Sequence, residues 1–337
     1  MQFTRDEIAD AQRTVYAALP PTPQYAWPLL GQALGATAWV KHENHTPVGA
    51  FKIRGGLTYF AGLARTQPAV RHVVSATRGN HGQSVGFAAR RHGLAATIVV
   101  PHGNSTEKNA AMRALGVRLV EHGDDFQAAS EHAARLAEHE GLHRIPSFHR
   151  DLVRGVATAY VELFESLQRQ GEAPLDVLYV PIGLGSGFAG AAAARAHCGV
   201  ATRLVGVVSA HATAYLDSWR AGRALDAPVS TRLADGMACR TPVPESLEVL
   251  RREADDVVAV TDAEVAAAMR LLYTATHNVA EGAGAAALAA AMQQRGRWQG
   301  RRVGVALTGG NVDAATMAGV LAGGAAADAE PAVCMPA

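Results

Sequence analysis

Four short stretches gather the side chains that could do chemistry. In KHENHTPVGAFKIRGG (41–56), Lys52 follows an aromatic residue, Phe51, and precedes Arg54 and two glycines. Lysines ordinarily sit in water. Here the flanks Ala50, Phe51 and Ile53 are apolar, which predicts a buried amine. Burial disfavours the ammonium form and lowers the pKa, the condition for Schiff-base chemistry.

The second stretch, SATRGNHGQS (75–84), follows a strand-like run and opens a helix-like one. Amides at a helix N-terminus can cradle a carboxylate, and the Asn80 amide can donate to a phenolic oxygen; a plain strand–helix turn is the alternative. The third, PIGLGSGFAG (181–190), sets Gly183, Gly185, Gly187 and Gly190 at another strand-to-helix junction, where backbone N–H groups can close around a phosphate. Gly185-x-Gly187-x-x-Gly190 also matches the dinucleotide fingerprint, which makes a nucleotide-binding protein the rival reading. That fingerprint calls for an acidic residue about twenty positions on. The next strand ends VVSAHA (207–212), without one, so a plain phosphate is favoured. The fourth stretch, LTGGN (307–311), places the Thr308 hydroxyl before a Gly-Gly turn, where it could meet a ring nitrogen.

Strands and helices must alternate to position these stations. HVVSAT (72–77), ATIVVP (96–101), VRLVEHG (117–123), DVLYVPIG (176–183), RLVGVVSA (203–210), DVVAVT (256–261) and RRVGVAL (301–307) read as strands, with AWVKHEN (38–44) before them. Helical runs cover 81–93, 105–116, 124–141, 152–170 and 262–274, and Thr4 with Glu7 marks the cap of an N-terminal helix. DVLYVPIG is apolar throughout, as a strand buried on both faces must be. The fold class is α/β, parallel-rich sheets covered by helices.

The bulk numbers set limits. A chain of 337 residues can fill two lobes. A formal net charge of +1 and the absence of a basic run argue against nucleic acid as a partner. Three cysteines, Cys198, Cys239 and Cys334, are widely spaced, which fits a reducing cytoplasm better than a disulfide framework. The N-terminus lacks an apolar signal region, no membrane span is read, and a cytoplasmic location is expected. His139 and His143 stand four apart on what reads as one helical stretch, without a third ligand, and form a solvated face.

Taken in order, the four stations resemble the fold-type II pyridoxal-phosphate (PLP) family, specifically the threonine/serine dehydratases and their serine racemase relatives. The resemblance runs from about Thr22 to Gly323 and includes RLADGMA (232–238) and EGAGAAALAA (281–290). It implies the two-lobed, tryptophan synthase β-like architecture: a large domain from 1–65 and 152–325, a small domain from 66–151, and a disordered tail at 326–337. It also implies pyridoxal 5'-phosphate as cofactor, held by Lys52 through its amine, Phe51 through ring stacking, Asn80 at the phenolic oxygen, Gly183, Leu184, Gly185, Ser186 and Gly187 at the phosphate, Thr308 at the ring nitrogen and Glu281 near the ring. Thr77, Arg78, Gly79 and His81 fall in the loop that takes the substrate carboxylate.

The activity this resemblance implies is elimination of water from a β-hydroxy α-amino acid, giving a 2-keto acid and ammonia. The substrates would be threonine or serine, or a bulkier or more acidic analogue such as phenylserine or 3-hydroxyaspartate. A homodimer acting on a small-molecule amino acid is expected, with no membrane partner. Racemisation is the alternative, weakened because Arg78 stands where racemases carry a serine. Arg78 could contact the substrate or form a surface salt bridge. The phosphate loop departs from the family's run of glycines at Leu184 and Ser186. A cation site of some relatives falls here on Val208 and Ala214, so no metal is expected. Biosynthetic members append a regulatory domain, and feedback control by isoleucine is not expected here.

Overall fold

The computed structural model describes residues 1–323, so the tail read at 326–337 lies outside the described residues. Among the described residues the strands are, in chain order, β1 (Gln24–Ala26), β2 (Thr37–His42), β3 (His72–Ala76), β4 (Ala95–Val100), β5 (Arg118–Glu121), β6 (His143–Arg144), β7 (Val177–Pro181), β8 (Arg203–Ser209), β9 (Asp256–Val260) and β10 (Arg302–Leu307). They form two sheets, ordered β1-β2-β10-β7-β8-β9 and β5-β4-β3-β6. Every pairing is parallel except that of the short edge strand β1 with β2.

Both faces of the larger sheet are buried, which is why its strands read as continuous apolar runs. Val177 and Tyr179 enter one core with Val40, Val205 and Val303, while Leu178 and Val180 enter the opposite core with Trp39, Phe164 and Leu204. Full burial of each such side chain contributes roughly 1.5–3 kcal/mol. The smaller sheet repeats the pattern: Val73 and Ile98 pack with Phe60 on one face, Val74 and Val99 with Ala129 and Ala133 on the other.

The helix Lys52–Thr66 carries the chain from the larger sheet to the smaller one, and the helix Arg150–Arg169 returns it. These helices meet backbone to backbone. A Cβ on Gly155 would collide with Arg54 O and Thr58 Oγ1, so only glycine permits the approach. Between them lies a buried ionic knot. Arg54 donates through Nε to Glu43 (2.7 Å) and through Nη1 to Glu162 (2.6 Å) and Thr158 (2.9 Å). Lys41 Nζ donates to Glu162 at 2.6 Å and to Thr22 O at 2.8 Å. Two cations face two carboxylates, so no buried charge is left unpaired. The knot fixes the first turn of the helix that begins at Lys52.

At the N-terminus, Thr4 Oγ1 accepts from Glu7 N and the Glu7 carboxylate accepts from Thr4 N, completing the capping box that the sequence signals. One reading needs correction. His139 and His143 do not share a helical stretch: the helix Phe126–Glu140 stops at Gly141 in the left-handed conformation, and His143 lies on β6. Nor do the two make a common solvated face, because His143 Nε2 is 2.9 Å from the Tyr59 hydroxyl.

Candidate active site

Parallel strands deliver their carboxyl ends to one edge of a sheet, where ligands commonly bind. β2, β10 and β7 are neighbours in the larger sheet. The loops that follow them are residues 43–51, 308–311 and 182–185, three of the four stations. The loop after β3 supplies the fourth. All four open on one cavity of about 820 Å³, lined by Phe51, Lys52, Thr77, Arg78, Gly79, Asn80, His81, Gly183, Leu184, Gly185, Ser186, Gly187, Glu281 and Thr308 among others. Of the four glycines read as a phosphate loop, Gly183, Gly185 and Gly187 line this cavity, whereas Gly190 does not: it packs against Val156 and Ala157 of the helix Arg150–Arg169.

Lys52 is the first residue of its helix. The Lys52 segment is tied to the LTGGN turn by Phe51 N donating to Thr308 O (3.0 Å) and Gly310 N to Gly49 O (2.9 Å). Its own carbonyl accepts from Ser84 Oγ at 2.6 Å, and its amine donates to Ser186 Oγ at 3.0 Å. Burial lowers the Lys52 pKa to about 8, with the Glu281 carboxylate pulling weakly the other way.

The glycine loop obeys a strict geometry. Gly185 has φ +89°, and a Cβ there would collide with Ser246 Oγ. The helix Ser186–Cys198 starts immediately after it. Leu184 is tolerated because its side chain packs against the core that contains Tyr215 and Phe188, while its carbonyl accepts from the Tyr215 hydroxyl at 3.1 Å. A second helix, Asn80–Arg91, also begins at the cavity. Two sets of unpaired helix N–H groups therefore face one space.

Asn80 donates through Nδ2 to Glu281 Oε1 at 2.5 Å and accepts at Oδ1 from Asn311 Nδ2 at 2.8 Å. The other Glu281 oxygen lies 3.3 Å from the Lys108 ammonium as an ion pair, and burial raises the Glu281 pKa. His81 is buried with Nε2 unpartnered; burial, then the nearby Lys52 amine, lowers its pKa to about 3, so the ring is neutral. Thr77 Oγ1 accepts from Gly79 N at 3.0 Å, and the Thr308 hydroxyl is buried beside Ala283 O at 3.5 Å. Arg78 lines the cavity and, among the described residues, forms no ion pair.

Sequence reasoning missed Lys108, Asp235 and Asn311. Lys108 Nζ reaches from the helix Thr106–Ala114 to Asp235 (2.7 Å) and Glu281 (3.3 Å). Burial opposes the charge, but the two carboxylates raise its pKa above the ordinary range. Lys108 is flanked by Glu107 and Asn109, so no local apolar signal marks it. Val208 and Ala214 are both buried and apolar. Among the described residues no group of three or more His, Cys, Asp or Glu side chains could share a metal, and no helix is long and apolar enough to cross a membrane.

A half-buried lysine of lowered pKa facing a glycine-lined loop, between two parallel-rich sheets, defines an enzyme that handles a phosphorylated carbonyl compound. The chain belongs to the pyridoxal-phosphate-dependent enzyme family, whose model matches residues 15–309. It is 32% identical over 312 residues to the L-threonine ammonia-lyase of Thermotoga maritima, covering 92% of this chain and 76% of that one. It is 32% identical over 305 residues to an L-threo-3-hydroxyaspartate ammonia-lyase of a Pseudomonas species, covering 90% and 93%. The solved threonine deaminase from T.th. superposes with a TM-score of 0.85 at 30% identity, over 92% of this chain and 99% of that chain. The chain spans about half the length of the longer biosynthetic threonine dehydratases it also matches, 53% in that of Pasteurella multocida. Membership in this family sets aside the nucleotide-binding reading of Gly185-x-Gly187-x-x-Gly190.

Proposed function

We propose that this protein is a PLP-dependent ammonia-lyase that eliminates water from a β-hydroxy α-amino acid, releasing a 2-keto acid and ammonia. The observation that carries the reading is the Lys52 amine, lowered to about 8 and set 3.0 Å from Ser186 Oγ in the glycine loop. The relatives named as ammonia-lyases of threonine and 3-hydroxyaspartate support the same reaction.

The cavity residues fit the cofactor. Gly183, Leu184, Gly185, Ser186 and Gly187 would hold its phosphate at the start of a helix, Phe51 would flank its ring, and Asn80 would donate to its phenolic oxygen. Thr308 would offer a neutral hydroxyl to the ring nitrogen. The Glu281 carboxylate, ion-paired to the Lys108 ammonium at 3.3 Å, keeps a polar group at the same wall. When bound, the cofactor supplies an electron sink for the bond that breaks at the substrate α-carbon.

The protein's own groups then do the following. Lys52 would hold the cofactor through its amine and would be the base for the substrate α-proton; a pKa near 8 leaves part of the amine neutral at physiological pH. The amides at the start of the helix Asn80–Arg91, with Thr77, Gly79 and His81, take the substrate carboxylate. A neutral His81 donates or accepts a hydrogen bond there without adding charge. Residues 66–151 would form the small lobe and 1–65 with 152–325 the large one, and their approach would exclude water from the leaving hydroxyl. Racemisation needs a proton donor opposite Lys52, and the guanidinium of Arg78 does not give up its proton.

A cytoplasmic homodimer is part of the proposal. The exposed apolar side chains Tyr25, Leu29, Tyr273 and Val279 are candidates for its interface. The test of function is ammonia release from the PLP-loaded protein across both enantiomers of several β-hydroxy amino acids, with borohydride trapping of the cofactor. Release, with trapped label at Lys52, supports the reading. Label at another lysine, or no ammonia from any member of the panel, overturns it.

A further inference from the structure

The charged lining of the cavity is balanced in number, but two of its cations stand without a partner. Its charged lining consists of Lys52, Arg78, Lys108 and Arg240 against Asp125, Glu131, Asp235 and Glu281. Lys108 is held by Asp235 and Glu281. Asp125 caps a helix by accepting from Ala128 N at 2.8 Å, and Glu131 accepts from Gln127 at 3.0 Å. Lys52 is committed to the cofactor. Two guanidinium groups remain: Arg78 is half-buried on the loop after β3, and Arg240 is exposed. Neither side chain has a hydrogen-bond or ion-pair partner among the described residues.

A partly desolvated guanidinium without a partner is costly, and a planar carboxylate is the ligand its fork of N–H groups matches. On the reading proposed above, the two anions every substrate complex would bring would be served by main-chain amides. The cofactor phosphate falls to the loop 183–187, and the α-carboxylate to the amides at the start of the helix Asn80–Arg91. We infer that Arg78 is the specificity-determining residue of this site, selecting β-hydroxy amino acids that carry a second carboxylate at the far end of the side chain. Arg240 adds a second positive group to the same cavity. The inference rests on the ammonia-lyase reading for its reaction, but not for its binding chemistry.

The experiment therefore has two arms, both on the cofactor-loaded protein. In the first, ammonia release is measured from threonine and from the 3-hydroxyaspartate isomers, in wild type, Arg78→Met and Arg78→Lys. A charge-assisted, forked contact predicts that Arg78→Met loses roughly 10- to 100-fold more in kcat/KM for the dicarboxylic substrate than for threonine, mainly through KM, with Arg78→Lys in between. Equal losses for both substrates would assign Arg78 to the α-carboxylate and overturn the inference while leaving the lyase reading intact. In the second arm, succinate and butyrate binding is followed by calorimetry, without turnover. Succinate should bind roughly tenfold or more tightly than butyrate in wild type, and the preference should vanish in Arg78→Met. If no substrate releases ammonia, the lyase reading fails by itself and the succinate arm still decides the inference. Equal binding of the two acids overturns it.

Discussion

The Lys52 amine and the Ser186 hydroxyl, 134 positions apart in the chain, are joined by a hydrogen bond of 3.0 Å. The contact spans the helix that starts at Lys52 and the helix that starts at Ser186, and it sets the amine against the mouth of the anion cradle. Ser186 stands where a backbone amide alone would serve a phosphate. Replacing it with alanine removes one hydroxyl while leaving the helix start in place. Loss of one hydrogen bond is worth about 1 kcal/mol, so Ser186→Ala should weaken cofactor binding roughly fivefold, read by absorbance titration of the apoprotein. An unchanged dissociation constant would show that the hydroxyl does not contribute to cofactor retention.

The lowered Lys52 pKa sets a pH dependence for cofactor capture. The neutral amine is the nucleophile, and its fraction rises with pH through the pKa. With the pKa lowered to about 8, the rate at which apoprotein captures pyridoxal phosphate should climb between pH 7 and 9 and then level off. An exposed lysine would keep climbing past pH 10. Rapid-mixing absorbance across this range distinguishes the two. A rate still rising steeply at pH 10 would place the amine in water.

How much of this was legible in the chain depends on whether a residue's neighbours in sequence are also its neighbours in space. Lys52 could be found because its apolar flanks Ala50, Phe51 and Ile53 signal an amine partly withdrawn from water, and the side chain is half-buried. Asn80, Ser186 and Thr308 could be found because each follows a strand and opens a turn, so sequence order alone puts them at a sheet edge. Lys108 could not. Its partners Asp235 and Glu281 lie 127 and 173 positions away, and its immediate neighbours look like those of any surface lysine. His139 and His143 misled for the converse reason: a spacing of four mimics one helix face, but Gly141 ends the helix between them. Arg54, the most heavily bonded side chain near the site, was visible only as a charge after the lysine. Its pairing with Glu43 and Glu162 needed the fold.

That pairing yields a stability prediction. Glu162 accepts from both Arg54 and Lys41 in a setting where Arg54 and Lys41 are almost wholly buried. Glu162→Gln keeps the shape but leaves a buried cation undercompensated, a change that costs about 3–5 kcal/mol. Denaturant unfolding of the cofactor-loaded protein should show a loss of that order. Arg169→Ala, which removes an exposed pair with Glu165, should cost about 0.5 kcal/mol or less. Similar small losses from both variants would mean that the knot is solvated and does not hold the Lys52 helix.

Gly185 supplies the sharpest test of the cradle. Its φ of +89° lies in the left-handed region, where an alanine is strained, and a Cβ would also collide with Ser246 Oγ. The single variant Gly185→Ala combines both penalties and should lose cofactor binding by about 100-fold or more, the effect of roughly 3 kcal/mol of strain and displacement at the loop. The double variant Gly185→Ala with Ser246→Gly removes the collision but keeps the backbone strain, so it should recover part of the affinity and not all of it. Equilibrium titration with pyridoxal phosphate reads both. Full recovery in the double variant would mean that the collision alone matters and that the left-handed turn is not required. No loss in the single variant would mean that the phosphate is held elsewhere in the cavity.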